Sequence, residues 1–196
     1  MSLVMLTPAS ITERIKQREK EWENSAGTGY ITGLMELWLK VLGGPRRILE
    51  LGTYTGNSAF AWLACPNTFV TTVDTNHDNL FPLLLDVEHY DWKGRISMVK
   101  ADSIAYAEDW TLPLDMVYID TTHEYLQTRR EIEAWTPHIK SQGWLVLDDI
   151  VGYPHVAQAF KYAYETSCQG KFDWFMGYLD APYTPKNHGI LVARVK

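Results

Sequence analysis

Ile48-Leu49-Glu50-Leu51-Gly52-Thr53-Tyr54-Thr55-Gly56-Asn57-Ser58 decides the reading of this chain. A short apolar run enters a glycine-bearing turn, and a helical pattern follows. Gly52 allows a tight turn and the close approach of a ligand to the backbone, where a Cβ would collide. The N-terminus of the following helix offers unpaired N–H groups to a polar or anionic group. A dinucleotide site would need Gly-x-Gly-x-x-Gly, so that a second glycine admits the pyrophosphate. Thr53 and Tyr54 stand in that turn instead, which disfavours a nicotinamide-dependent oxidoreductase.

Outward from this motif, apolar runs alternate with helical patterns. Strands are expected at Arg47–Leu51, Phe69–Val73, Ile96–Lys100, Asp115–Asp120 and Trp144–Asp148. Helices are expected near Asn57–Ala64, Asn79–Tyr90, Ser103–Glu108, Tyr125–Ile139 and His155–Thr166. Continuous apolar strands separated by helices predict an α/β fold, a mostly parallel sheet covered on both faces. Two further strands, Phe172–Leu179 and Gly189–Val195, have no helix between them, which predicts an antiparallel C-terminal ending. Upstream, Ser10–Trp22 is a charged helix with Ile11, Ile15 and Trp22 on one stripe. Ser25–Gly29 breaks it, and a second helix runs from about Ile31 to Leu42 before Gly43-Gly44-Pro45. The division expected is a helical extension over residues 1–24 and one domain over 25–196. The extension is a candidate lid or homo-oligomer contact.

Polar groups recur at strand ends, where ligands sit in such sheets. Asp74, about 20 residues beyond the turn, is placed to accept ribose hydroxyls. Asp102 and Ser103 follow the third strand, where an acidic residue meets an adenine amino group. An adenosine-bearing ligand fits all three positions.

Glu50-Leu-Gly-Thr-Tyr-Thr-Gly-Asn-Ser58 resembles motif I of the class I S-adenosylmethionine-dependent methyltransferases, especially the catechol O-methyltransferase group. Gly27-Thr28-Gly29 and its helix match the loop that precedes motif I there. The resemblance covers roughly residues 25–195. It implies a Rossmann-like, doubly wound, seven-stranded sheet whose antiparallel last strand is inserted before the sixth. It also implies that Glu50, Gly52, Thr53, Tyr54 and Ser58 surround the methionine part, with Gly29 and Asp120 contributing to the cofactor site.

Asp115–Asp120 and Trp144–Asp149 are apolar strands that end in carboxylates. As parallel neighbours, they bring Asp120, Asp148 and Asp149 within roughly 5 Å of one another. Such a group repels itself unless neutralised, which predicts a hard divalent cation, Mg2+ or another, on oxygen ligands. Helix capping is the alternative role for Asp120 or Asp149. Asp120-Thr-Thr-His123 is similar to the Asp-x-x-His segment of sugar O-methyltransferases, which supplies a metal ligand and a base. The catechol enzymes have lysine at the position of His123 and commonly asparagine at that of Asp149, so both residues point toward the sugar-type branch. The resemblance thus implies metal-assisted O-methylation of a small-molecule hydroxyl, with His123 as the base. A catalytically silent cofactor-binding protein is the alternative. His188, like His77, His89 and His138, is read as structural or solvated.

The composition is that of a globular protein, 46% hydrophobic and 21% charged. A net charge of −6 argues against a nucleic-acid partner. The lack of an apolar run of about 18 residues argues against a membrane span. Cys65 and Cys168 form no Cys-x-x-Cys pair, and Met1–Ser10 lacks a signal-peptide pattern. The expected location is the cytoplasm.

Overall fold

Four of the five residues of β1 (Arg47–Leu51) are buried, because this strand lies in the interior of a sheet, with a strand on each side. The computed structural model describes residues 8–21, 29–178 and 188–196. Helices α1 (Pro8–Glu21) and α2 (Tyr30–Lys40) precede β1. Then follow α3 (Asn57–Ala64), β2 (Phe69–Asp74), α4 (Phe81–His89), β3 (Ile96–Lys100), α5 (Ala105–Glu108) and β4 (Leu114–Ile119). The chain closes with α6 (Tyr125–Trp135), β5 (Ile139–Leu147), α7 (Pro154–Glu165), β6 (Phe172–Tyr178) and β7 (Ile190–Val195).

These strands form one seven-stranded sheet in the order β3-β2-β1-β4-β5-β7-β6. β1 to β5 pair in parallel, and β7 runs antiparallel to both its neighbours. The expected architecture is therefore the observed one, with the last strand inserted before the sixth. Strand order reverses between β1 and β4, and the crevice at such a reversal is where α/β sheets bind ligands.

Alternation along each strand divides the core in two. Ile48, Tyr118, Val146 and Val192 face the side covered by α2, α3 and α4, with Phe60, Trp62 and Trp92 fully buried there. Leu49, Leu51, Val117, Ile119 and Leu147 face the side covered by α6 and α7, where Trp135 and Phe160 pack. α1 joins the first core through Ile15. Its Arg18 is wholly buried and pairs with Asp86 of α4 at 2.7 Å, while also donating to Asn57 Oδ1 at 2.5 Å. The expected boundary near residue 24 lies outside the described residues, as do Gly27 and Thr28.

Two elements differ from expectation. The helix expected over Tyr125–Ile139 ends at Trp135 and passes through a 3₁₀ turn, Thr136–His138. Pro137 has no N–H to continue the helical ladder. β5 then begins at Ile139, which pairs with Leu114 before the register shifts. Lys140, Ser141 and Gln142 are exposed, with Gln142 at φ 65°. This polar irregularity is why an apolar pattern marks only the second half of the strand.

Candidate active site

The ladder continues one residue past β4 and β5. Asp120 N donates to Leu51 O (2.9 Å), and Asp148 N donates to Ile119 O (3.0 Å). Both carboxylates therefore emerge at the strand-order reversal. Neither Asp120 nor Asp149 caps a helix: α6 opens after Glu124 and α7 after Tyr153. Asp102 instead braces the turn leading into α5, its Oδ1 accepting Ile104 N and Ala105 N at 3.0 and 2.8 Å.

His123 Nε2 lies 2.9 Å from Asp120 Oδ1 and 3.2 Å from Asp149 Oδ2. Its ring stacks on Tyr153, with centroids 4.3 Å apart and planes at 12°. Asp148 is almost wholly buried. Tyr30 and Tyr118 hydroxyls donate to its Oδ2 at 2.7 and 2.5 Å, and Asp149 N donates to its Oδ1 at 2.8 Å. His188 Nδ1 meets Asp149 Oδ1. Tyr54, His123 and Asp149 all adopt left-handed backbone, at φ 45°, 59° and 60°. Such strain in residues other than glycine collects at functional sites.

Burial, reinforced by Asp120 and Asp149, pushes the Asp148 carboxyl up to about 7 despite the phenol hydrogen bonds. Burial and Asp149 also raise Asp120 against the hydrogen bond from His123. Burial alone would lower His123, but its hydrogen bond to Asp120 and the neighbouring carboxylates raise it overall. The hydrogen bond and charge of Asp149 raise His188. Crowded anionic charge is thus balanced by protons here, and a divalent cation on the same donors would displace them.

The motif turn sits beside this cluster. A Cβ on Gly52 (φ 90°) would lie 1.9 Å from the Asp120 carbonyl oxygen. Close packing of the two strand ends, more than approach to a ligand, therefore demands glycine here. Asp74 ties the turn down: Oδ2 accepts Thr53 N (2.8 Å) and Tyr54 N (3.0 Å), and Oδ1 accepts Asn76 N (2.9 Å). Beneath it, Thr72 Oγ1 donates to the fully buried Glu50 at 2.5 Å, so Thr53 Oγ1 donates to Thr72 at 2.6 Å. Glu50 Oε1 has no hydrogen-bond partner among the described residues. Burial drives the Glu50 carboxyl up to about 8, even with Ser58 and Thr72 opposing.

Two clefts meet here. One of about 390 Å³ is lined by Gly52, Asp74, Asp102, Ser103 and Gln127 among others. One of about 150 Å³ is lined by Tyr30, Ser58, Asp148, Asp149 and His188 among others. Tyr54 and Asp120 line both; Thr53 lines the smaller and His123 the larger. Ser103 Oγ donates to buried Glu131 at 2.6 Å. Gly29 opens α2 at φ 94°; like Glu50, it lies outside both linings. The expected site residues are otherwise brought together.

Sequence reasoning missed Tyr30, Tyr118, Tyr153 and His188. The antiparallel ending was a usable signal for His188, since a strand returning along β5 must start near Asp148.

These features define a class of protein. A family model described as a methyltransferase domain matches residues 49–150, and the chain belongs to that family. It has the fold of S-adenosylmethionine-dependent O-methyltransferases. The O-methyltransferase of Bacillus cereus, solved in complex with SAH, has a TM-score of 0.71 at 16% identity over 98% of this chain and 94% of that one. TomG of Streptomyces achromogenes, an O-methyltransferase of tomaymycin synthesis solved with SAM, has a TM-score of 0.71 at 15% identity over 98% and 93%. A methyltransferase of Geobacter sulfurreducens has a TM-score of 0.68 at 13% identity over 98% and 91%. No curated protein sequence matches the chain. Among the described residues, no helix is long and apolar enough to cross a membrane.

Proposed function

We propose that the protein transfers the methyl group of S-adenosylmethionine to a hydroxyl of a small molecule bearing adjacent oxygens, of sugar or vicinal-diol type, in the cytoplasm. Residues 25–196 are read as the catalytic domain and 1–24 as its extension. The observation that carries the reading is the joining of the two clefts at Asp120 and Tyr54, which sets the nucleotide-type strand ends against the Asp/His cluster.

Residues along both clefts, with Glu50 buried beneath the turn between them, hold the methyl donor. Asp74 uses its remaining lone pairs for the ribose, and Asp102 with Ser103 lies by the adenine. Unpartnered Glu50 Oε1 is an acceptor suited to the methionine ammonium, with Gly52, Thr53, Tyr54 and Ser58 around it. In the smaller cleft Asp120, Asp148 and Asp149 form a donor set for Mg2+ or another divalent cation. When bound, such an ion supplies Lewis acidity that makes an adjacent hydroxyl easier to ionise. The neutral imidazole of His123 accepts the hydroxyl proton at the ring nitrogen left free by the Nε2–Asp120 hydrogen bond. Asp120 orients the ring, and Tyr153 supports its face.

The test is turnover with a panel of sugars, vicinal diols and catechols, with and without a chelator. Turnover should fall roughly tenfold or more on chelation, while calorimetry shows cofactor affinity largely kept. Full turnover in excess chelator would remove the cation from the reading. Asp74→Ala should weaken cofactor binding by roughly 1.5–3 kcal/mol, as for a charged acceptor. Part of that loss comes from freeing the Thr53 and Tyr54 N–H groups. Tight NAD binding without binding of the sulfonium compound would refute the donor assignment.

A further inference from the structure

His188 stands two residues before β7. Because β7 runs antiparallel beside β5, its start lies against the end of β5, where Asp148 and Asp149 stand. The backbone there is pinned on both residues: Val151 N donates to His188 O at 2.7 Å and Ile150 N to Gly189 O at 3.1 Å. Close approach of these segments needs glycine at 189, where a Cβ would lie 2.5 Å from Val151. The imidazole is thus delivered from a third strand to a cluster otherwise built from β4 and β5.

Each oxygen of Asp149 faces a different imidazole. Oδ2 lies 3.2 Å from His123 Nε2, and Oδ1 is in contact with His188 Nδ1. One donor atom each from Asp148, Asp149 and His188 lies within 4.8 Å of the others. Donors bonded to one ion at about 2.0–2.2 Å lie roughly 3–4.4 Å from one another, so three donor atoms gathered this closely are able to converge on a single ion. A wholly oxygen-donor set suits Mg2+, whereas imidazole adds affinity for zinc, iron, nickel and their neighbours.

We propose that His188 is a nitrogen ligand of the cation assigned to this site, and that it makes the site prefer a first-row transition cation over Mg2+. The inference rests on the metal reading of the proposed function. A His188 that only orients Asp149 by hydrogen bonding would leave that preference unmoved, and this separates the two roles.

The experiment uses metal-stripped full-length protein titrated with Co2+ and with Mg2+ by calorimetry, and loaded with Mn2+ for pulsed electron paramagnetic resonance. Wild type should bind Co2+ well over tenfold more tightly than Mg2+. His188→Ala should weaken Co2+ by about 10–100-fold and Mg2+ by less than about threefold, on the scale of a lost metal-site partner. Equal losses for both ions, or none, overturn the proposal while leaving the metal reading standing. Should His188→Ala fail to fold, the Mn2+ spectrum of His123→Asn decides. A directly bonded nitrogen retained there supports His188, and its absence overturns it. Folded wild type that binds none of the three ions refutes the metal reading, and this proposal with it.

Discussion

Replacing His123 with alanine is expected to lower turnover by ~10²–10⁴-fold, the usual range for loss of a general base. Cofactor and cation affinity should change little. Only the neutral imidazole accepts a proton, and the Asp120 and Asp149 carboxylates raise the His123 pKa above its ordinary value, whereas a bound cation opposes them. The acidic limb of the pH–turnover profile should therefore belong to His123 in wild type and vanish in the variant. The loss should shrink for an acceptor with an acidic hydroxyl, which the cation alone can help ionise. His123→Asn is the control for folding, because asparagine tolerates the left-handed φ of 59° found here. If either variant turns over a weakly acidic alcohol at the wild-type rate, His123 is not the base.

Glu50→Gln is expected to move stability and cofactor affinity in opposite directions at alkaline pH. The Glu50 carboxyl titrates at 4.5 when unperturbed and at about 8 in the folded protein, chiefly through burial. Between these values the native state holds a proton that the unfolded state has lost, so stability falls as pH rises across the window. The full difference is on the order of 5 kcal/mol at 1.36 kcal/mol per pKa unit. Glutamine keeps an acceptor for Thr72 and cannot ionise, so its unfolding free energy should lack this slope. By urea denaturation it should equal or trail wild type near pH 5 and exceed it near pH 9. Asp120 and Asp148 are also raised, so the wild-type minus variant difference isolates Glu50. Cofactor affinity should fall, because the acceptor offered to the methionine ammonium loses its charge. Parallel pH slopes for the two proteins would show that Glu50 is not the titrating group.

How much was legible follows from the kind of signal each feature leaves. β1 and the turn after it were readable because an apolar run broken only by Glu50, a glycine and a helix start are all local. The same holds for Asp74, Asp102, Asp120 and Asp148, since in a parallel sheet every strand delivers its end to one edge. Even the inserted last strand was legible, through the absence of a helix between β6 and β7 and through the resemblance of motif I.

Other features left no local trace. Tyr30 and Tyr118 lie 88 residues apart, and only the packing of α2 on the sheet brings their hydroxyls to Asp148. The stacking of His123 on Tyr153 depends on two loops that meet only in the folded chain. Gly52 was read as a tight turn that lets a ligand approach, and only the folded chain shows that a Cβ there would also meet the Asp120 carbonyl oxygen. By itself the sequence determined the order of strands and helices, the mostly parallel sheet and the carboxylates at the carboxyl ends of its strands, because apolar periodicity and turn residues act over a few positions. Tertiary structure alone decided which of the other side chains converge there and how far burial shifts Glu50 and Asp148. Both depend on contacts between strand ends and loops far apart in the chain, and on the water those contacts exclude.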